Sequence, residues 1–108
     1  HTDMILAGGA NIYPAEVEAA IDSFPGVRSS AVIGLPDDDM GNTIHAIVDA
    51  PGGFDVEALR AHLGERLVRY KIPKSFEVAS EPLRDDAGKL RRSALRAERN
   101  CPTAMTTP

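Results

Sequence analysis

The chain has 108 residues, which suits one domain, and its 43% hydrophobic content comes with two tyrosines, three phenylalanines and no tryptophan. The net charge is −4 and the basic residues are dispersed, which argues against nucleic acid as a partner. No apolar run is long enough to cross a membrane, and the single cysteine, Cys101, excludes an internal disulfide and points to a reducing, cytoplasmic setting.

The opening His1-Thr2-Asp3 lacks the basic region and cleavage pattern of a signal peptide. Its abrupt entry into an apolar stretch is expected of a domain cut from a longer polypeptide. Met4–Ala7 and Ala10–Tyr13 flank Gly8-Gly9 and read as a β-hairpin. Pro14 opens a helix, with Glu16 near the positive end of its dipole. Val17, Ala20, Ile21 and Phe24 form its buried stripe, and Pro25-Gly26 stops it.

Ser30–Leu35 reads as a strand, Pro36 to Asp39 with Gly41 as a turn, and Thr43–Ala50 as a second strand with Ile44, Ala46 and Val48 on one face. Pro51-Gly52-Gly53 breaks it. Asp55 caps a second helix whose inner face is Val56, Leu59, Leu63 and Leu67, ended by Lys71-Ile72-Pro73. Phe76 and Val78 alternate with Ser75 and Glu77, as in a half-buried strand. Arg84–Gly88 reads as a polar loop and Leu90–Arg99 as a short basic helix. The predicted class is α/β (α+β): a small sheet flanked by helices, with an N-terminal hairpin. Residues 1–99 form the domain, and residues 100–108 read as a flexible tail.

Three segments carry a resemblance when taken together. They are Asp3-Met4-Ile5-Leu6-Ala7-Gly8-Gly9-Ala10-Asn11-Ile12-Tyr13-Pro14-Ala15-Glu16-Val17-Glu18, then Ala31-Val32-Ile33-Gly34-Leu35-Pro36-Asp37, then Pro82-Leu83-Arg84-Asp85-Asp86-Ala87-Gly88-Lys89-Leu90-Arg91-Arg92, the last preceded by Tyr70-Lys71-Ile72-Pro73. In this order they resemble the C-terminal lid domain of the AMP-forming acyl-CoA synthetases, a superfamily that also holds luciferases and peptide-synthetase adenylation domains. The resemblance implies a mobile domain that works beside its own large N-terminal adenylation domain. It implies ATP and coenzyme A as reactants, a carboxylic acid as substrate, and Mg2+ held on the N-terminal domain.

The resemblance assigns Lys89 to catalysis of adenylation, where an ammonium offsets charge that builds on oxygen around the α-phosphate. A bare Gly-Lys pair would otherwise read as a solvated lysine at a helix start. Gly88 would let the backbone approach closely. Gly8 and Gly9 match a hairpin that lines the pantetheine passage during thioester formation, with Gly9 the nearer to that arm. A plain turn requirement for positive φ holds on either reading.

Thr2 falls at the hinge position, where relatives often carry Asp or Lys, and Asp3 fits the hinge pattern. Asn11 is a candidate nucleotide contact or, alternatively, an amide that satisfies the hairpin. Lys71, Arg91 and Arg92 either attract coenzyme A phosphates or make a solvated basic face. Asn42 stands where many relatives have Glu and reads as turn structure. His45 and His62 lack partners at metal-ligand spacing, so no metal site is expected on this domain. No Ser–His–Asp set is visible. The competing reading is a free-standing α/β interaction or regulatory module without catalysis, motivated by the lone 108-residue chain, in which nothing forms a complete ATP pocket.

Overall fold

The computed structural model describes residues 4–37 and 41–99. The hinge positions Thr2 and Asp3 and the tail with Cys101 lie outside the described residues. Strands β1 (Ile5–Ala7) and β2 (Ala10–Ile12) form an antiparallel hairpin in which Ile5 faces Ile12 and Ala7 faces Ala10. Its two-residue turn has φ of 59° at Gly8 and 85° at Gly9, the double positive φ that side chains disfavour and glycine accepts.

Helix α1 (Pro14–Asp22) starts with proline where no N–H is needed, and buries Val17 and Ile21. Strands β3 (Ser29–Asp37) and β4 (Gly41–Asp49) pair antiparallel along their whole length, from Ser29 opposite Asp49 to Asp37 opposite Gly41. The chain then crosses through α2 (Val56–Gly64) to β5 (Ser75–Val78), which runs parallel to β4. The Asp55 carboxylate caps α2, accepting from the Glu57 amide at 2.9 Å and the Ala58 amide at 3.4 Å. Helix α3 (Arg92–Arg99) closes the described chain. The three-stranded sheet has the order β3-β4-β5. No helix among the described residues is long and apolar enough to cross a membrane.

Alternation along β3 and β4 feeds two cores. Val32, Ile44, Ala46 and Val48 point to one face, where they meet the hairpin (Ile5, Ile12), α1 (Val17, Ile21) and α2 (Leu59, Leu63). Ala31, Ile33 and Ile47 point to the other, where Leu83 and Leu95 cover them. Both faces of the sheet are therefore buried, and the elements that carry the three motifs are divided between them.

Five expectations need correction. Helix α2 ends at Gly64, a poor helix former, and does not run on to Lys71. Leu67 still reaches the core through a turn in which its amide bonds the Leu63 carbonyl at 2.8 Å, while Val56 is exposed and a 3₁₀ turn spans Arg69–Lys71. Pro36 and Asp37 continue β3 and do not form a turn; a missing N–H is tolerated on a strand paired on one side only. Helix α3 begins at Arg92, because Leu90 is used in an antiparallel bridge to Arg84. In β5, Phe76 packs on the first core, but Val78 at the strand end is exposed.

Candidate functional site

Lys89 stands at the base of a small hairpin. Arg84 and Leu90 form its bridge, and the Arg91 amide donates to the Leu83 carbonyl at 3.0 Å. The Asp85 amide donates to the Lys89 carbonyl at 2.9 Å, and the Gly88 amide to the Asp85 carbonyl at 2.8 Å. This is a three-residue loop, Asp86-Ala87-Gly88, whose last position is left-handed at φ 83°. An added Cβ at Gly88 would meet nothing within 4 Å, so glycine is required there by its backbone angle and not by close approach. The Lys89 side chain is exposed, and its ammonium has no ion-pair partner among the described residues. It borders a cavity of about 560 Å³ shared with Ala15, Ala19 and Asp22 of α1, Arg84 and Ser93. Desolvation pushes the Asp22 carboxyl above its ordinary range, against a hydrogen bond from Ser30.

Leu83 and Leu90 of the Lys89 loop stem pack on the second face of the sheet, whereas the glycine hairpin packs on the first. Its turn borders a cavity of about 550 Å³ lined by Ala7, Gly8, Ala10, Ile44, Tyr70 and Lys74. This cavity and the one beside Lys89 have no lining residue in common. An added Cβ at Gly9 would meet nothing within 4 Å, so within this domain φ alone demands glycine there. Asn11 is exposed on β2 opposite Leu6, and its side chain makes no hydrogen bond to another described residue.

Two residues that sequence reasoning assigned no role at the site seat this hairpin. Asn42 belongs to β4, not to a turn, and its side-chain amide donates to the Leu6 carbonyl at 3.1 Å. Gly34 lies beneath Ile5: a Cβ there would come within 2.8 Å of Ile5 Cγ2. A glycine inside a strand pattern was the available signal for such a close approach.

The candidate phosphate-binding cations are engaged within the domain. Lys71 Nζ donates to both Glu16 carboxylate oxygens, at 2.9 and 3.1 Å, and that bond holds the ammonium above its ordinary range. Arg92 pairs with Glu18, its Nε donating at 2.8 Å. Arg91 donates to the Pro82 carbonyl at 3.0 Å and lies 3.9 Å from Glu81. Each of the three therefore has a partner within the domain. Glu16 and Glu18, two residues apart in the first motif, bind the cations of the Tyr70-Lys71 and Lys89-Arg92 segments. Ion pairs thus join the first motif to the third and the segment before it, and the Val32 amide ties the second motif to Glu18 at 2.8 Å.

His45 is buried, and the parallel register of β4 and β5 sets it opposite Ser75. Its Nδ1 lies 2.6 Å from Ser75 Oγ and its Nε2 2.6 Å from Glu77 Oε1. The sequence hides this Ser–His–Glu array because thirty residues separate the strands. Arg99 closes it, donating to Glu77 at 2.8 and 2.6 Å, and holds that carboxyl down at about 2. The array ties β4, β5 and α3 together on the second face of the sheet. His62 meets Ser23 Oγ at 2.8 Å and packs edge-on against Phe24. Among the described residues no three His, Cys, Asp or Glu side chains gather as a metal site.

Comparison with known proteins adds to this geometry. Residues 16–89 match the family described as the AMP-binding enzyme C-terminal domain. The chain is 42% identical over 97 residues to the long-chain-fatty-acid–CoA ligase FadD13 of Mycobacterium tuberculosis, a match covering 89% of this chain and 19% of the ligase. A solved Mycobacterium tuberculosis fatty acyl CoA synthetase superposes with a TM-score of 0.83 at 42% identity, over 89% of this chain and 19% of that one. The o-succinylbenzoate CoA synthetase of Bacillus subtilis, solved with its acyl-adenylate intermediate, gives 0.81 at 38% identity, over 87% of this chain and 19% of its own. The chain thus spans about a fifth of the length of the proteins it matches.

Proposed function

Since this chain belongs to the AMP-binding enzyme C-terminal domain family, we propose that it is the C-terminal domain of an AMP-forming acid–thiol ligase. The reaction has two halves. A carboxylate displaces pyrophosphate from the α-phosphorus of ATP, giving an acyl-adenylate. The sulfur of coenzyme A then attacks the acyl carbon, and AMP leaves with the bonding electrons as the thioester forms. ATP, the acid and the Mg2+ that accompanies ATP are assigned to a large N-terminal domain, to which this chain contributes two surfaces. The enzyme is placed in the cytoplasm.

One observation carries the reading: the stem of the Lys89 loop and the Gly8-Gly9 hairpin pack on opposite faces of one sheet, and Lys89 and the glycine turn border separate cavities. A domain held in one orientation presents one of them to a reacting centre. Two half-reactions at one centre, with the domain turned between them, use both. In the first orientation the Lys89 ammonium offsets the negative charge that grows on the carboxylate and α-phosphoryl oxygens. That stabilisation is strong where water is excluded. An ammonium with no carboxylate partner among the described residues suits the role, since no such pair has to be broken before it engages. In the second orientation the glycine turn offers bare backbone as one wall of the thiol passage. Similarity to ligase C-terminal regions disfavours the alternative of a free-standing interaction or regulatory module.

The test uses the full ligase polypeptide that carries this chain, with a long-chain fatty acid and o-succinylbenzoate as probe acids. Lys89→Ala is expected to lower pyrophosphate release by roughly 100-fold or more. It should leave thioester formation from supplied acyl-adenylate within about threefold of wild type. Gly9→Leu is expected to do the reverse. Equal loss of both halves in either variant refutes the division of labour.

A further inference from the structure

The loop that presents Lys89 is organised around one side chain. Asp85 Oδ1 accepts from the Ala87 amide at 2.9 Å and from the Lys89 amide at 3.0 Å, while the Asp85 backbone amide donates to the Lys89 carbonyl. Lys89 is thus held at both its backbone polar groups by the same residue. From outside, the Arg84 guanidinium donates to the Gly88 carbonyl at 2.7 Å and fixes the peptide that precedes Lys89. The stem below is anchored by Leu83, which is 2% exposed in the second core.

We infer that Asp85 is a positioning residue for Lys89, and that it acts through its acceptor oxygen and not through its charge. The inference rests on the adenylation role given to Lys89 above. An Asp side chain reaching forward to its own loop amides is a common turn device. Here one of those amides is that of the residue whose ammonium must meet the reacting phosphoryl group. Without the acceptor, the Ala87 and Lys89 amides lose their partner and the loop tip is free to adopt other turns. The Lys89 side chain would then start from a displaced backbone, and displacement on the scale of an ångström is costly to a positioned catalytic group. The bonds that Asp85 Oδ1 accepts come from the uncharged backbone amides of Ala87 and Lys89, so an acceptor is needed there and a charge is not. An amide oxygen in the same place serves as well.

The experiment compares Asp85→Ala, Asp85→Asn and Lys89→Ala in the full polypeptide, with the probe acids named above and both half-reactions measured. Asp85→Ala is expected to lower kcat for pyrophosphate release about tenfold, with thioester formation from supplied acyl-adenylate unchanged. Asp85→Asn, which keeps the acceptor oxygen, is expected to stay within about threefold of wild type. A loss below about threefold in Asp85→Ala overturns the inference, as does an equal loss in both half-reactions. An Asp85→Asn variant as impaired as Asp85→Ala also overturns it, because the charge would then be what matters. If Asp85→Ala does not fold, Asp85→Glu takes its place. Its longer arm moves the acceptor away from both amides, so the same selective loss is expected, and wild-type adenylation would refute the idea. Failure of Lys89→Ala to impair adenylation would instead remove the premise, and the two failures are thereby distinguished.

Discussion

The Glu18–Arg92 pair gives a sharp test of how the motifs are joined. Glu18 is 5% exposed on α1. Its carboxylate accepts from the Val32 amide at 2.8 Å, on the free edge of β3, and from Arg92 at the start of α3. Glu18→Ala leaves a buried backbone N–H without a partner, at about 1–3 kcal/mol. It also removes the carboxylate with which Arg92 pairs. Breaking a buried pair costs about 3–5 kcal/mol. Arg92 keeps 25% side-chain exposure and can be partly rehydrated, which puts the total near the lower end, about 3 kcal/mol. Against a domain stability of about 5–15 kcal/mol this is a large share. At a urea slope of about 1–3 kcal/mol per molar, the unfolding midpoint of the 108-residue chain should fall by at least about 1 M. Glu18→Gln keeps an acceptor for Val32 and should lose roughly half as much. A midpoint within about 0.3 M of wild type for Glu18→Ala, at unchanged slope, would show that the pair does not hold α1, β3 and α3 together.

Other outcomes follow from single contacts. Gly34→Ala places a methyl 2.8 Å from Ile5 Cγ2. An overpacking cost of about 1–3 kcal/mol should lower Tm by roughly 4 °C or more; an unchanged Tm would mean that the hairpin shifts freely on the sheet. Glu77 is held at about 2, below the ordinary 4.5, so its stabilisation is complete above pH 4.5 and is lost as pH falls towards 2. The full shift would correspond to about 3 kcal/mol, but the side chain is 36% exposed and screening reduces this to about 1 kcal/mol. The stability gap between wild type and Glu77→Gln, read from urea melts, should therefore be flat above pH 5 and shrink below it. A gap that does not change with pH would contradict the Arg99 assignment.

Local pattern was enough to find the hairpin, because two adjacent glycines between apolar runs leave few other turns. It was enough for α1, whose proline, acidic first turn and spaced apolar residues agree, and for the buried face of β4. The motif order identified the family, and the loop before α3 was legible as polar. Element ends were less legible: Leu67 looked helical because a residue in a turn can reach the same core as one on a helix.

Partnerships between distant residues could not be read from pattern at all. Lys71 and Arg92 look like solvated cations until α1 brings Glu16 and Glu18 to them. His45 looks solitary until a parallel crossover sets Ser75 and Glu77 beside it. Asn42 looks like a turn residue until the hairpin folds over it. Sequence alone determined which residues could carry chemistry and which local conformations they prefer, since these follow from side-chain type and short-range sterics. Only the tertiary structure decided which charges are already paired and which, like that of Lys89, have no ion-pair partner among the described residues, because that depends on what lies within about 4 Å once both faces of the sheet are covered.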